Sequence, residues 1–286
     1  MINKKALSVF LILTFGLTIT LTIIAKMLGF TLVGKPAMMS QMVIFVAMFI
    51  PALSAIITQK LVVKKSLKEL GFKWGPFSMY AKTYAVIILM FVVNYLITWL
   101  FFLKPDFTLA SFMNQYGVTS GLPLPASTMI LLLSLVTFIM APIFNMIPSL
   151  GEEIGWRGFL LPNLEELGQT RAMIYSGMIW ALWHTPMILI LGFGYGLEAP
   201  LGALLHFITV ASLGIWIGYV WFKTRSTVLA GFMHAVFNAN AYGIWTIIFV
   251  SESKLIVGAV GVIGAVICLL VGLIAIYKSQ TKQTIR

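Results

Sequence analysis

Charged residues divide this chain into long apolar blocks. Eight stretches of at least 20 residues contain no Asp, Glu, Lys or Arg. Because a helix rises about 1.5 Å per residue, about 20 apolar residues cross a hydrocarbon core of about 30 Å. The pattern therefore predicts an all-α, polytopic membrane protein with a bundle of about eight transmembrane helices. The predicted spans are 6–25, 36–59, 83–103, 107–151, 172–197, 199–222, 226–251 and 255–277.

The fourth apolar stretch, 107–151, is longer than one span needs. Its first part contains two glycines and two prolines between residues 117 and 125, which favour a loop. We therefore predict that the fourth span starts near Ser127. The chain shows no internal repeat and no soluble segment, so residues 1–286 are predicted to form a single integral-membrane domain.

The placement of Lys and Arg predicts the orientation of this bundle. When the loops are numbered alternately, the set that includes both termini holds 15 of the 19 basic residues. Cytoplasmic loops are enriched in Lys and Arg, so we expect both termini in the cytoplasm and a multi-pass protein of the cell membrane. The Lys-rich connector 60–82 is expected to contact anionic headgroups, which makes membrane lipids a predicted partner.

Composition excludes several other classes of protein. The chain is 60% hydrophobic and only 9% charged, whereas soluble domains are about 25% charged. The net charge of +11 comes from basic residues that are scattered singly between apolar blocks, so we expect no nucleic-acid partner. A single cysteine, Cys268, can build neither a disulfide framework nor a cysteine metal site.

Two acidic residues lie at the predicted cytoplasmic end of the fourth span. Ionisable side chains within membrane spans are costly and often functional. Glu153 and Arg157 are four residues apart and share a helical face, so they are predicted to pair, while Glu152 points about 100° away and is predicted to be free to react. We further expect the prolines at 142 and 148 to kink or interrupt the helix; if they interrupt it, Ser149 caps a new one.

Histidines fall within three of the later spans. His184 lies about 18 Å into the fifth span, and His234 and Asn238 lie about 12 and 18 Å into the seventh. The spacing of four places His234 and Asn238 on one face. We therefore expect these three side chains to meet the carboxylates from the cytoplasmic side. His206 falls near the opposite surface and is predicted to be interfacial.

A carboxylate, two imidazoles and a carboxamide can together hydrolyse a peptide or amide bond. The glutamate can take a proton from water, and histidine and asparagine can hold the water and stabilise the oxyanion. Alternatively, Glu152, His184 and His234 could bind a zinc ion and leave a fourth position open. The spacing does not choose between these routes. Two other functions also fit: a proton-coupled transporter, and a non-catalytic immunity or scaffold protein that binds a peptide.

Three motifs, in this order, resemble those of the CPBP family of CAAX proteases and bacteriocin-processing enzymes. They are Glu152-Glu153-x-x-x-Arg157, Trp180-x-x-x-His184 and His234-x-x-x-Asn238. The segment 151–162 is most similar to the bacterial branch, and the motif-bearing core covers about 127–250. Trp180 stands where the family often has Phe, which keeps a large aromatic side chain.

The resemblance implies an intramembrane endopeptidase, whose eukaryotic relatives remove a C-terminal tripeptide from prenylated proteins. It assigns water activation to Glu152, contacts with the water or oxyanion to His184, His234 and Asn238, and support to Glu153 with Arg157. Many members are classed as metalloproteases, so zinc is an open cofactor. The implied substrate is a membrane-associated peptide, such as a bacteriocin or signalling-peptide precursor, or a membrane protein.

Overall fold

A computed structural model describes residues 3–32, 38–119, 121–251 and 253–284. Within these ranges the ordered elements are all helical, which confirms the all-α prediction. Seven helical segments are long and apolar enough to cross a membrane, as a multi-pass membrane protein requires. These segments are Lys4–Met27, Met39–Val63, Phe77–Phe101, Ala126–Asn163, Gln169–Leu191, Ala199–Thr224 and Val262–Thr281. The predicted start of the second span, at residues 36 and 37, lies outside the described ranges.

The helices follow the order of the predicted spans. We number the α-helices α1 to α13 in chain order. Segments with wider π-helical turns join several of them, at Thr58–Val63, Val136–Met140 and Ile154–Leu160. The α-helices are α1 Lys4–Met27, α2 Met38–Ala47, α3 Ile50–Ile57, α4 Phe77–Phe101, α5 Ala110–Tyr116, α6 Ala126–Leu135, α7 Ala141–Glu153, α8 Leu161–Asn163, α9 Gln169–Leu191, α10 Ala199–Thr224, α11 Thr227–Ala241, α12 Ile244–Ile248 and α13 Val262–Thr284.

The fourth span begins at Ala126, which confirms the start predicted near Ser127. The predicted break before Ser149 is wrong. Helix α7 runs through Pro148 and ends at Glu153, so the two acids lie in its last turn. Tertiary packing outweighs the lost proline hydrogen bond here, because the preceding and following turns of α7 are held against α3 and α11.

Glycines bring the fourth span into backbone contact with its neighbours. A Cβ atom added to Gly151 would lie 2.7 Å from the Met48 carbonyl oxygen, and one added to Gly155 would lie 2.5 Å from the Cβ of Pro51. Small residues permit such close approach between membrane helices. The turns that carry Glu152 and Glu153 are therefore fixed against α3.

The seventh predicted span, 226–251, is not one helix. Helix α11 has 15 residues, or about 22 Å, which is shorter than the hydrocarbon core. It ends before Gly243, where an added Cβ would lie 2.4 Å from the side chain of Thr137. The Thr137 hydroxyl then accepts a 2.9 Å hydrogen bond from the backbone N–H of Ile244 and so caps α12. Contact with the fourth span explains the break.

Hydrogen bonds between loops indicate which loops lie on the same face of the bundle. On one face, the Thr227 hydroxyl donates to the Leu70 carbonyl over 2.8 Å, and Arg225 pairs with Glu165. The hydrogen bonds that the Arg225 guanidinium donates to the Glu165 carboxylate, more than the carboxylate charge, raise the pKa of Arg225 above its ordinary value. This face gathers the loops that precede α4, α9 and α11.

The other face gathers the alternate loops. The backbone N–H of Asp106 donates to the Ile248 carbonyl over 2.7 Å, and the Tyr195 hydroxyl donates to the Val260 carbonyl over 2.8 Å. Residues 227–248 therefore run from one face to the other despite the break. The grouping matches the alternation used for the charge count, while the side of the membrane that each face occupies stays a prediction.

Candidate functional site

Glu152 is a buried carboxylate held by two indoles. Its side chain is 2% exposed. The Nε1–H of Trp180 donates to Oε2 over 2.7 Å, and the Nε1–H of Trp156, one turn along the same helix, donates over 3.4 Å. Glu152 therefore has two hydrogen-bond partners, and both of them donate to Oε2. This arrangement fixes the carboxylate in an apolar wall while Oε1 has no hydrogen bond to a described residue.

Glu153 and Arg157 form the predicted pair, fully buried. The Nη1–H of Arg157 donates to Oε1 of Glu153 over 2.9 Å. A second guanidinium N–H donates to the Gly214 carbonyl over 3.1 Å, and the guanidinium lies 4.5 Å from the centre of the Trp180 ring. The pair thus joins α7, α9 and α10.

His234 approaches the same carboxylate from α11. Its Nδ1 lies 3.1 Å from Oε1 of Glu153, and its ring centre lies 5.0 Å from that of Trp180. Because a carboxylate accepts hydrogen bonds, Nδ1 carries the hydrogen and Nε2 faces away from Glu153. His234 and Glu152 both contact Trp180, whose indole donates to Glu152. The second and third motifs are thereby brought to the first.

His184 has one ring nitrogen fixed by the backbone. Its Nδ1 lies 3.0 Å from the carbonyl oxygen of Trp180, one turn earlier in α9. A carbonyl can only accept, so the hydrogen is on Nδ1, and the neutral ring presents a lone pair on Nε2. The ring of Trp183 packs edge-on at 4.9 Å, and the Trp183 indole donates to Thr18 of α1 over 2.7 Å.

The prediction that His206 is interfacial is wrong. Its side chain is buried, and its ring centre lies 4.8 Å from that of His184. His184 lies seven residues before the end of α9 at Leu191, and His206 lies seven residues after the start of α10 at Ala199. Two antiparallel helices joined at one face place such residues at the same depth. The equal distance of His184 and His206 from the loop between α9 and α10 can be read from the sequence and predicts that they lie at the same depth.

Asn238 lies one turn beyond His234 and is half-buried. It lines a cavity of about 260 Å³ between α6, α7 and α11, together with Asn145 and Tyr242. Its side-chain amide has no hydrogen bond to a described residue. The structure therefore places Asn238 at this cavity, and its contact with the other candidates stays a prediction.

Among the described residues, no group of three or more His, Cys, Asp or Glu side chains is arranged to hold a metal ion. Oε2 of Glu152 and Nδ1 of both His184 and His234 contact protein partners, which leaves Oε1 of Glu152 and Nε2 of each ring without a described partner. Zinc as a cofactor therefore stays a prediction.

The part of the chain that matches known proteins includes the residues of this cluster. Residues 127–240 match the family described as Type II CAAX prenyl endopeptidase Rce1-like. This segment of the chain is similar to that family, and it contains Glu152, Glu153, Arg157, Trp180, His184, His206, His234 and Asn238.

A curated relative, CAAX prenyl protease 2 of Methanococcus maripaludis, is 31% identical over 101 residues. The aligned part is 31% of this chain and 35% of the relative, so this chain spans about a third of that protein's length. Both names describe CAAX prenyl proteases.

Sequence reasoning missed one residue besides His206. Trp156 lies within the segment 151–162, follows Glu152 by four residues and therefore shares its helical face. That spacing predicts the contact that the structure places there.

Proposed function

We propose that this chain is an intramembrane endopeptidase that hydrolyses a peptide bond with water activated by Glu152. The observation that carries the proposal is the buried Glu152 carboxylate, which is fixed by indoles beside two imidazoles whose Nδ1 atoms are engaged. Burial strengthens electrostatic interactions and keeps bulk water away from a reacting carbonyl. The match to a family of proteases supports the same activity.

The reaction follows from the donors and acceptors. Glu152 takes one proton from water as the water oxygen bonds to the carbonyl carbon, and the carbonyl electrons move onto oxygen. Glu152 then gives that proton to the leaving amine nitrogen as the C–N bond breaks. No proton is lost or gained over the cycle.

The two histidines take different parts in this scheme. Neutral His184 presents a lone pair on Nε2, so it accepts a hydrogen bond from the attacking water. His234, held by the Glu153 carboxylate, carries an Nε2–H when protonated and donates it to the oxyanion, and the amide of Asn238 supplies a second donor. Glu153 and Arg157 hold His234 and the helix end in place.

We propose a membrane-associated peptide or membrane protein as substrate, cleaved in the cell membrane. Two classes are distinguishable: a prenylated peptide with a CAAX end, which the name of the relative suggests, and an unprenylated bacteriocin or signalling-peptide precursor. The probes are therefore two internally quenched peptides, one farnesylated and one carrying only an apolar segment.

Glu152→Gln tests the catalytic assignment in detergent-purified full-length chain. Gln still accepts the indole hydrogen bonds but cannot take a proton, so we expect cleavage to fall at least about 100-fold with an unchanged melting temperature. Glu198→Gln is the matched control, because Glu198 accepts from Ser253 outside this cluster. Wild-type cleavage by Glu152→Gln protein would remove the assignment.

A chelator tests the metal-free route. Because the described ligands do not form a metal site, we expect cleavage to persist after treatment with 1,10-phenanthroline. Complete loss that added zinc restores would reinstate the zinc route, in which Glu152 is a ligand.

One observation favours a second function, proton-coupled transport. His206 extends the row of ionisable side chains beyond His184 toward the other face. Reconstituted vesicles that acidify with substrate uptake, with no cleavage of either probe, would favour transport over hydrolysis.

A further inference from the structure

His206 is a buried imidazole whose hydrogen-bonding groups are unused by the described residues. The side chain is 6% exposed, and neither Nδ1 nor Nε2 has a partner. A neutral imidazole carries one N–H donor and one lone pair. Buried polar groups are normally hydrogen-bonded to protein or to a retained water. The two unpartnered ring nitrogens of His206 therefore need an explanation.

Three aromatic rings pack near His206, and one of them has a polar atom to which no described residue donates. The rings of Phe193 and Tyr195 both lie 6.2 Å away. Phe193 has no polar side-chain atom, and the Tyr195 hydroxyl already donates to Val260. His184, at 4.8 Å, is closer than either ring.

His184 presents the complementary group. With its hydrogen on Nδ1, it offers a lone pair on Nε2, and no described residue donates to that atom. A lone pair on one ring and an N–H on the other are satisfied together by one water, which donates to His184 and accepts from His206.

We propose that His206 is a positioning residue of the candidate site, which holds the water that donates to Nε2 of His184. This inference rests on the proposed function, because it identifies that water as the one that Glu152 deprotonates. The water then donates one hydrogen to Glu152 and one to His184, and accepts one from His206. Its remaining lone pair is free to attack the carbonyl.

A spectroscopic test does not need a substrate. The chain has three histidines, so ¹⁵N-histidine labelling in nanodiscs gives three imidazoles, which His206→Phe and His234→Phe assign. We expect His184 as the Nδ1–H tautomer, with an Nε2 resonance that shifts in His206→Phe protein while the His234 resonances stay. An unchanged His184 Nε2 resonance overturns the proposal.

Cleavage of the quenched probes supplies the second test. His206→Phe keeps a ring but removes both polar groups, so we expect kcat to fall about tenfold with KM unchanged. Asn places an amide near the position of Nδ1 and Gln near Nε2, and we expect one of the two to restore most of kcat. Phe193→Leu, which alters packing on the same ring, is the matched control and should stay near wild type.

The outcomes separate this inference from the proposed function. If Glu152→Gln abolishes cleavage while Phe, Asn and Gln at position 206 all behave alike, His206 is only packing and the inference fails alone. If neither probe is cleaved but His206→Phe shifts His184, the pair stands and the hydrolase assignment fails. A His206→Phe chain that does not fold leaves the Asn and Gln variants to decide.

Discussion

The buried Glu153 and Arg157 pair should respond unequally to loss of either partner. Glu153→Gln removes the negative charge that Arg157 pairs with, so that the guanidinium is left with neutral acceptors and an aromatic face. Arg157→Met leaves Glu153 beside His234, which can carry a positive charge. Because an uncompensated buried charge costs about 3–5 kcal/mol, we expect Glu153→Gln to lower the free energy of unfolding more than Arg157→Met.

The double variant Glu153→Gln with Arg157→Met is the control for this pair. It removes both charges, so it should be more stable than Glu153→Gln alone, measured by thermal unfolding in one detergent. Additive losses in the double variant would mean that the pair does not act as a unit.

The two indoles that hold Glu152 make a matched pair of substitutions. Trp180→Phe keeps the ring over Arg157 but removes a 2.7 Å hydrogen bond to the carboxylate, and Trp156→Phe removes a 3.4 Å one. Hydrogen bonds to charged groups contribute about 1.5–3 kcal/mol. We expect kcat to fall about tenfold or more in Trp180→Phe and less than threefold in Trp156→Phe. Equal effects would mean that the bonds do not orient the carboxylate.

At the scale of elements, close packing by glycine holds the site helix in place. Gly155→Val should unfold at a clearly lower temperature, because its Cβ has no room beside Pro51 and overpacking costs about 1–3 kcal/mol. Gly16→Ala in α1 is the control, since nothing lies within 4 Å of its added Cβ. We expect Gly16→Ala to be neutral or stabilising. A normal melting temperature for Gly155→Val would show that α3 can move away.

The element pattern also shows what the sequence could predict. Apolar length found the spans, and the glycines and prolines before Ser127 found the start of the fourth. Apolar length could not find the break before Gly243, because that break depends on Thr137 in another helix. The prolines likewise predicted an interruption at Pro148 that does not occur, because neighbouring helices support α7 there. Pairwise spacing worked within a helix, as for Glu153 and Arg157, and failed across helices, as for His206.

At the scale of the whole molecule, the site depends on helices outside the matched segment. Thr18 of α1 accepts from Trp183, and Pro51 of α3 abuts Gly155. Both elements precede residue 127, where the family match begins. The motifs lie on α7, α9 and α11, while the amino-terminal helices fix the positions of those helices. A fragment of residues 127–240 is therefore expected to lose the geometry of the site.

The loop contacts predict how the chain is threaded through the membrane. Residues 227–248 connect the two faces, so we expect the chain to cross eight times and both termini to lie on the side of the Lys-rich connector. Cys268 is the single cysteine and is buried, so a Cys268→Ala background allows single cysteines to be placed at exposed lysines. We expect Lys5→Cys, Lys68→Cys and Lys278→Cys to react with a membrane-impermeant maleimide only after permeabilisation, and Lys104→Cys to react in intact cells. Labelling of Lys5→Cys and Lys278→Cys from opposite sides would mean that an odd number of segments crosses, and that residues 227–248 form a re-entrant segment.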